Sequence, residues 1–149
     1  MPEVGSERYD ICYKIRPFIE MLNEKFNKIP MTENLSVDEM MIPYSGTRGS
    51  RHFVRGKPNP WGFKAYTLCD TFGIVYNIHL ASGPFPRVPG LPDIRSMGNR
   101  VLDLCSIIPS HKNHKVYMDS YFSMIAIALE VKKRRIHDGY MQACTSTRY

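Results

Sequence analysis

The sequence predicts an α/β domain in which a mixed sheet, antiparallel in its first half and parallel in its second, is flanked by helices. Three observations carry that reading. The stretch GFKAYTLCD-TFG-IVYNIHLAS has two apolar runs joined by a tight turn, the pattern of a β-hairpin. Beyond it, helical and extended patterns alternate, and a strand–helix–strand order demands parallel neighbours. A chain of 149 residues, 43% hydrophobic and 23% charged, has the length and composition of one globular core.

Residues 1–8 are polar and are expected to be a loose N-terminus, leaving residues 9–149 as the domain. In YDICYKIRPFIEMLNEKFNKIP, Ile11, Ile15, Phe18, Ile19, Leu22 and Phe26 recur at three- and four-residue steps, which predicts an amphipathic helix packed on the sheet. Pro17 should kink or divide it, and Pro30 closes it. LSVDEMMI reads as a strand with Asp38 in its middle, ended by Pro43 and Ser45-Gly46. The loop to Pro60 is rich in glycine and proline, although RHFV can extend a strand.

In the hairpin, Asp70 opens the turn and Gly73 is available for its positive-φ position, so Asp70 reads as a turn residue rather than a catalytic acid. The connection at residues 82–96 holds four prolines and excludes helix and ladder alike. Val101, Leu104, Cys105 and Ile108 then fall on one helical face, closed by Pro109. His111 and His114 lie in a lysine-flanked spacer and read as solvated rather than metal-binding. VYMD is a short strand delivering Asp119 to its end, where Asp119 or Ser120 is placed to cap the next helix. That helix, over Phe122, Ile125, Ala126 and Leu129, contains IAIAL and should be buried on more than one side. Lys132, Lys133, Arg134 and Arg135 close it, and YMQACTST reads as a last strand.

The element order fits a ribonuclease H-like core, in which the first and fourth strands lie side by side. Asp38 and Asp119 would then converge at one edge. Two carboxylates that close together repel unless a divalent cation neutralises them, and hard oxygen ligands suit Mg²⁺ or Mn²⁺. Two such ions about 4 Å apart can support an in-line phosphoryl displacement. Next to Asp38 lies a basic loop: from Met40 to Cys69 there is no acid, while Arg48, Arg51, Arg55, Lys57 and Lys64 are all cationic. With a net charge of +6, this favours a polyanionic partner, DNA first.

The four cysteines, Cys12, Cys69, Cys105 and Cys144, are scattered without a C-x-x-C pair, so neither a zinc module nor a disulfide framework is indicated. They read as buried thiols in a reducing compartment. MPEVGSERYD lacks an apolar signal core, and no apolar run approaches the roughly 18 residues that span a bilayer, so an intracellular protein without a membrane partner is expected.

The segments LSVDEMMIPYSG, GKPNPWGFKAYTLCD and VYMDSYFSMIAIA resemble, in order and spacing, the signature blocks of the piggyBac-type transposase domain, over about residues 10–149. The resemblance implies a DDE/D core in which Asp38 and Asp119 are the first and second catalytic aspartates, each binding Mg²⁺ or Mn²⁺. It implies cutting and joining of DNA in the nucleus, and homo-oligomers in the full-length family. Ser120 and Cys144-Thr145 depart from the asparagine and the glycine-threonine usual in the family. The family's third carboxylate lies on a later helix than this sequence reaches, so the core is expected to be incomplete at its C-terminus and not catalytic alone. The alternative is a domesticated, non-catalytic module that binds DNA through the basic loop at 48–64.

Overall fold

The computed structural model describes residues 12–46, 51–81, 93–110, 112–119, 122 and 125–133. The predicted last strand at 140–147, most of the proline-rich connection, Arg48, His111, Ser120, Arg134, Arg135 and Cys144 lie outside them.

The elements are α1 (Arg16–Phe26), β1 (Asn34–Pro43), β2 (His52–Phe53), β3 (Trp61–Asp70), β4 (Val75–Leu80), α2 (Arg95–Leu104) with a 3₁₀ turn over Cys105–Ile107, β5 (Lys115–Met118) and α3 (Ile125–Lys133). β3 is the sheet's centre, antiparallel to β1 on one side and to β2 and β4 on the other. β1 pairs in parallel with β5 on its free side. The sheet is therefore mixed and helix-flanked, and the β1–β5 pairing is the one a ribonuclease H-like order requires.

Strand alternation divides the side chains between two layers. Leu35, Val37, Tyr66, Leu68, Val116 and Met118 face α2 and α3 in the main core, where they meet Val101, Leu102, Leu104, Ile127 and Val131. Phe122 closes this core edge-on against Tyr66, with ring centroids 5.7 Å apart. The other face carries a smaller cluster, Cys12, Ala65, Ile78 and Leu80, covered by Ile19 and Phe26 of α1.

α1 reaches the sheet over β4, so only a narrow stripe of it is covered; Ile15 and Phe18 stay exposed despite their helical spacing. Pro17 does not kink this helix. The helix starts at Arg16, which puts Pro17 in the first turn, where its missing N–H needs no partner. Asn23 also seats it: its side chain donates to the Ile78 carbonyl at 2.9 Å and accepts from the Ile78 N–H at 3.0 Å. Arg100 likewise donates to the Leu80 carbonyl at 2.8 Å. β4 is an edge strand, and these side chains occupy backbone groups that would otherwise invite another strand.

The hairpin turn is built as expected. Asp70 Oδ1 accepts the N–H groups of Phe72 (2.9 Å) and Ile74 (3.0 Å), and Gly73 takes φ +81°. Its Oδ2 accepts the Tyr76 hydroxyl at 3.1 Å. A bulge after Leu68 admits Tyr76, which is fully buried in the main core. Burial pushes the Asp70 carboxyl upward, but hydrogen bonds from Ile74, Phe72, Tyr76 and Thr32 together outweigh it and hold the pKa below its ordinary value.

Three further expectations are corrected. α2 begins at Arg95, so residues 95 and 96 belong to its first turn rather than to the connection. In α3 the buried residues are Ile127 and Val131, while Ile125 is 80% and Leu129 55% exposed; an i, i+4 stripe, not the whole IAIAL run, meets α2. His114 is buried, not solvated, and its Nδ1–H donates to the Thr32 carbonyl at 2.8 Å, tying the entry of β5 to that of β1.

Two outcomes test this packing. Leu68→Ala should destabilise the chain by about 2–5 kcal/mol in urea unfolding, whereas Phe72→Ala, at the exposed turn, should stay within about 0.5 kcal/mol. Asp70→Asn should lower the urea midpoint at neutral pH. A carboxylate with a depressed folded pKa contributes fully above its ordinary value of 3.8 and loses that contribution as pH falls through the folded value. Wild type and variant should therefore converge in acid; a gap that stays constant through this range would remove the carboxylate charge from the turn's account.

Candidate functional site

The pairing of β1 with β5 runs Leu35 with Val116, Ser36 with Tyr117 and Val37 with Met118. The next position in this register is Asp38 on one strand and Asp119 beyond the end of the other. Both follow core-facing residues, so alternation directs Asp38 to the face opposite α2 and α3, and Asp119 stands at the matching place. The same stretch of that face carries Asn34, Ser36 and Tyr117, and the Tyr117 hydroxyl donates to Asn34 Oδ1 at 3.3 Å.

Asp38 is exposed, and its Oδ1 accepts the Glu39 N–H at 2.7 Å. Asp119 is half-buried, and its carbonyl accepts the Phe122 N–H at 2.9 Å in a backbone turn. α3 is described from Ile125, and the expectation that Asp119 or Ser120 caps this helix rests on residues outside the described ones. Cys69 lies beside Asp38 on β3. Burial first, then the negative charge of Asp38, push its thiol above the ordinary cysteine pKa, which keeps it protonated and unreactive.

Among the described residues no group of three or more histidine, cysteine or acidic side chains is placed to hold a metal ion. The pair Asp38 and Asp119 nevertheless fits a hard divalent cation in donor type and in placement: two carboxylates at one sheet edge, one of them open to solvent.

β1 and β3 run on past β5 as an arm, and β2 joins them there through the pairs His52–Gly62 and Phe53–Trp61. Val54 N–H donates to the Pro60 carbonyl at 2.8 Å, closing the loop that holds Arg55, Gly56 and Lys57. Gly56 has φ +88°, a conformation that favours glycine in this turn. Arg51 and Arg55 are exposed and Lys57 is half-buried. The Arg51 guanidinium lies over the Trp61 ring at 4.5 Å from its centroid. Lys64 stands apart from these cations. It forms a salt bridge with Glu39 and lies over the Tyr66 ring at 5.4 Å, so its charge is largely matched within the sheet.

Sequence reading singled out the cations but not the grouping of Phe53 and Tyr44 with Trp61. Phe53 is 56% and Trp61 46% exposed, with ring centroids 4.9 Å apart, and Tyr44 leans on Phe63 at 5.0 Å. The available signal was RHF opposite PWG, two short blocks six residues apart that a hairpin loop brings together.

No helix among the described residues is long and apolar enough to cross a membrane. The fold is that of a solved protein: a chain of the piggyBac transposase synaptic complex with hairpin DNA superimposes with a TM-score of 0.64, at 19% identity, over 78% of this chain and 24% of that one. Human PiggyBac transposable element-derived protein 3 is 40% identical over 63 residues, covering 42% of this chain and 11% of the relative. Human PiggyBac transposable element-derived protein 2 is 42% identical over 59 residues, covering 39% and 10%. The chain thus spans about a tenth of the length of these curated relatives. A family model described as Transposase IS4 matches residues 2–139, nearly the whole sequence, and the chain therefore belongs to the piggyBac-type Transposase IS4 family.

Proposed function

We propose that this chain is a DNA-engaging part of a transposase core, acting in the nucleus. Asp38 and Asp119 supply two of the carboxylates of a phosphoryl-transfer centre, and the arm bearing Arg51, Arg55 and Lys57 holds the DNA backbone. The observation that supports this reading is the β1–β5 register, whose last pair, Val37 with Met118, comes one residue before each aspartate. The structural neighbour, a transposase synaptic complex with hairpin DNA, supports DNA as the partner.

Mg²⁺ or Mn²⁺ bound between Asp38 and Asp119 would supply Lewis-acid activation of a phosphate oxygen and of water. The chain's own residues do the rest. The two aspartates accept positive charge at one edge, and the arm supplies cations further along the strand. From Asp38 to Pro43 is five strand residues, about 17 Å at 3.4 Å per residue, which is about five nucleotide steps of one DNA strand. A backbone held by Arg51, Arg55 and Lys57 can thus present a phosphate at the carboxylates.

A second reading, a module that binds DNA without cutting it, is favoured by one observation: the described residues contain no third ligand beside the aspartate pair. The two readings share the arm and differ in chemistry. For the arm, replacing Arg51, Arg55 and Lys57 together with alanine should weaken duplex binding and flatten the salt dependence, by about 0.9 log unit in slope per lost phosphate contact. Unchanged affinity and slope would take the arm out of the account. For the chemistry, nicking of duplex DNA with Mn²⁺ that disappears in both Asp38→Asn and Asp119→Asn supports the phosphoryl-transfer centre. Binding without nicking supports the second reading.

A further inference from the structure

The arm carries more than positive charge. Between Tyr44 and Trp61 there is an open recess of about 370 Å³, lined also by Pro43, Arg51, Asn59 and Pro60. That volume lies within the range of about 300–1,000 Å³ usual for small-ligand sites. Its walls combine aromatic faces, one guanidinium and one side-chain amide. Trp61 and Phe53 present their rings to solvent at the same spot, away from both hydrophobic clusters, so they are not core residues that happen to be near the surface. Three exposed aromatic rings grouped around a cation form a stacking platform.

We propose that this recess binds an unpaired nucleotide of DNA, its base stacked on Trp61, which Phe53 backs from β2, its edge read by Asn59 and its phosphate held by Arg51. The inference rests on the DNA-engaging reading of the arm and adds to it a preference that charge alone does not give. In a duplex each base already has both faces covered by its neighbours and cannot offer one to a ring. A base free of its partner can, and every base has such a face. The Asn59 amide brings a donor and an acceptor to the edge of a base in the recess. Arg51, already over Trp61, is within reach of either the base plane or the adjoining phosphate.

The platform is held in shape by the backbone. Phe53 pairs with Trp61 across β2 and β3, Val54 N–H bonds to Pro60 at 2.8 Å, and Tyr44 N–H bonds to the Trp61 carbonyl at 3.4 Å. The rings are therefore arranged before a base arrives, which lowers the ordering cost of binding.

Trp61 is the single tryptophan of the chain, so its fluorescence reports on this recess alone. The full chain is titrated with a short thymidine oligonucleotide, with an abasic strand of equal length and with a duplex. The thymidine strand should quench Trp61, and the abasic strand, which has the same phosphates, should bind more weakly and leave the emission nearly unchanged. Phe53→Ala, at an exposed position, should weaken thymidine-strand binding roughly 5- to 100-fold while changing duplex and abasic binding by less than about twofold. Equal binding and equal quenching by thymidine and abasic strands would overturn the nucleotide site and leave the basic arm standing. Failure of all three nucleic acids to bind would defeat the arm's DNA role as well.

Discussion

The parallel pairing of β1 with β5 is the constraint on which the candidate site depends. Side chains alternate with a period of two, so a slip of one residue would send Asp38 out of line with Asp119 and turn the core face of β5 outward. The register is secured from both sides. Leu35, Val37, Val116 and Met118 are all buried in the main core. At the entry to the strands, Lys115 N–H donates to the Glu33 carbonyl at 2.7 Å, Lys115 and Glu33 form an ion pair, and His114 is bonded to Thr32. The apolar half of the pair supplies the stability, and the polar half is thereby held in place for chemistry.

The same division explains why the two ends of the sheet differ. At β4 the edge is occupied by Asn23 and Arg100, and α1 covers the adjoining face, so this end is committed to structure. Towards β1 and β5 that face bears Asn34, Ser36, Asp38 and Tyr117, a polar strip suited to solvent, ions or a ligand. Beyond β5 the sheet narrows to the arm, where exposed cations and aromatic rings adjoin the last apolar contacts of Ile42 and Phe63. One sheet thus carries core, carboxylates and nucleic-acid surface at successive levels along β1 and β3.

Much of this was legible in the residues, and what was hidden has physical reasons. The strands that carry Asp38 and Asp119 were legible because each aspartate directly follows a short alternating run, Leu35–Val37 and Val116–Met118, whose apolar members share one core. Asp70 and Gly73 could be placed because turn chemistry is local. The burial of α3 was misread because helical spacing shows which residues share a face, not how wide a stripe the neighbouring elements cover. Ile125 and Leu129 are apolar and exposed for that reason. Asn23 and His114 were missed because their partners, Ile78 and Thr32, are distant in sequence and are backbone groups, which leave no mark in a side-chain pattern. The Phe53, Trp61 and Arg51 cluster was missed because a two-residue strand is too short to show a period.

The account stands or falls on the two aspartates forming one cation site. The direct measurement is a titration of the isotopically labelled chain with substoichiometric Mn²⁺, read as paramagnetic broadening of backbone amide resonances. The account predicts that Asp38 and Asp119 broaden together, with Asp70 unaffected, and that Asp38→Asn relieves the broadening at both positions. Broadening at one aspartate without the other, or centred on Asp70, would contradict it.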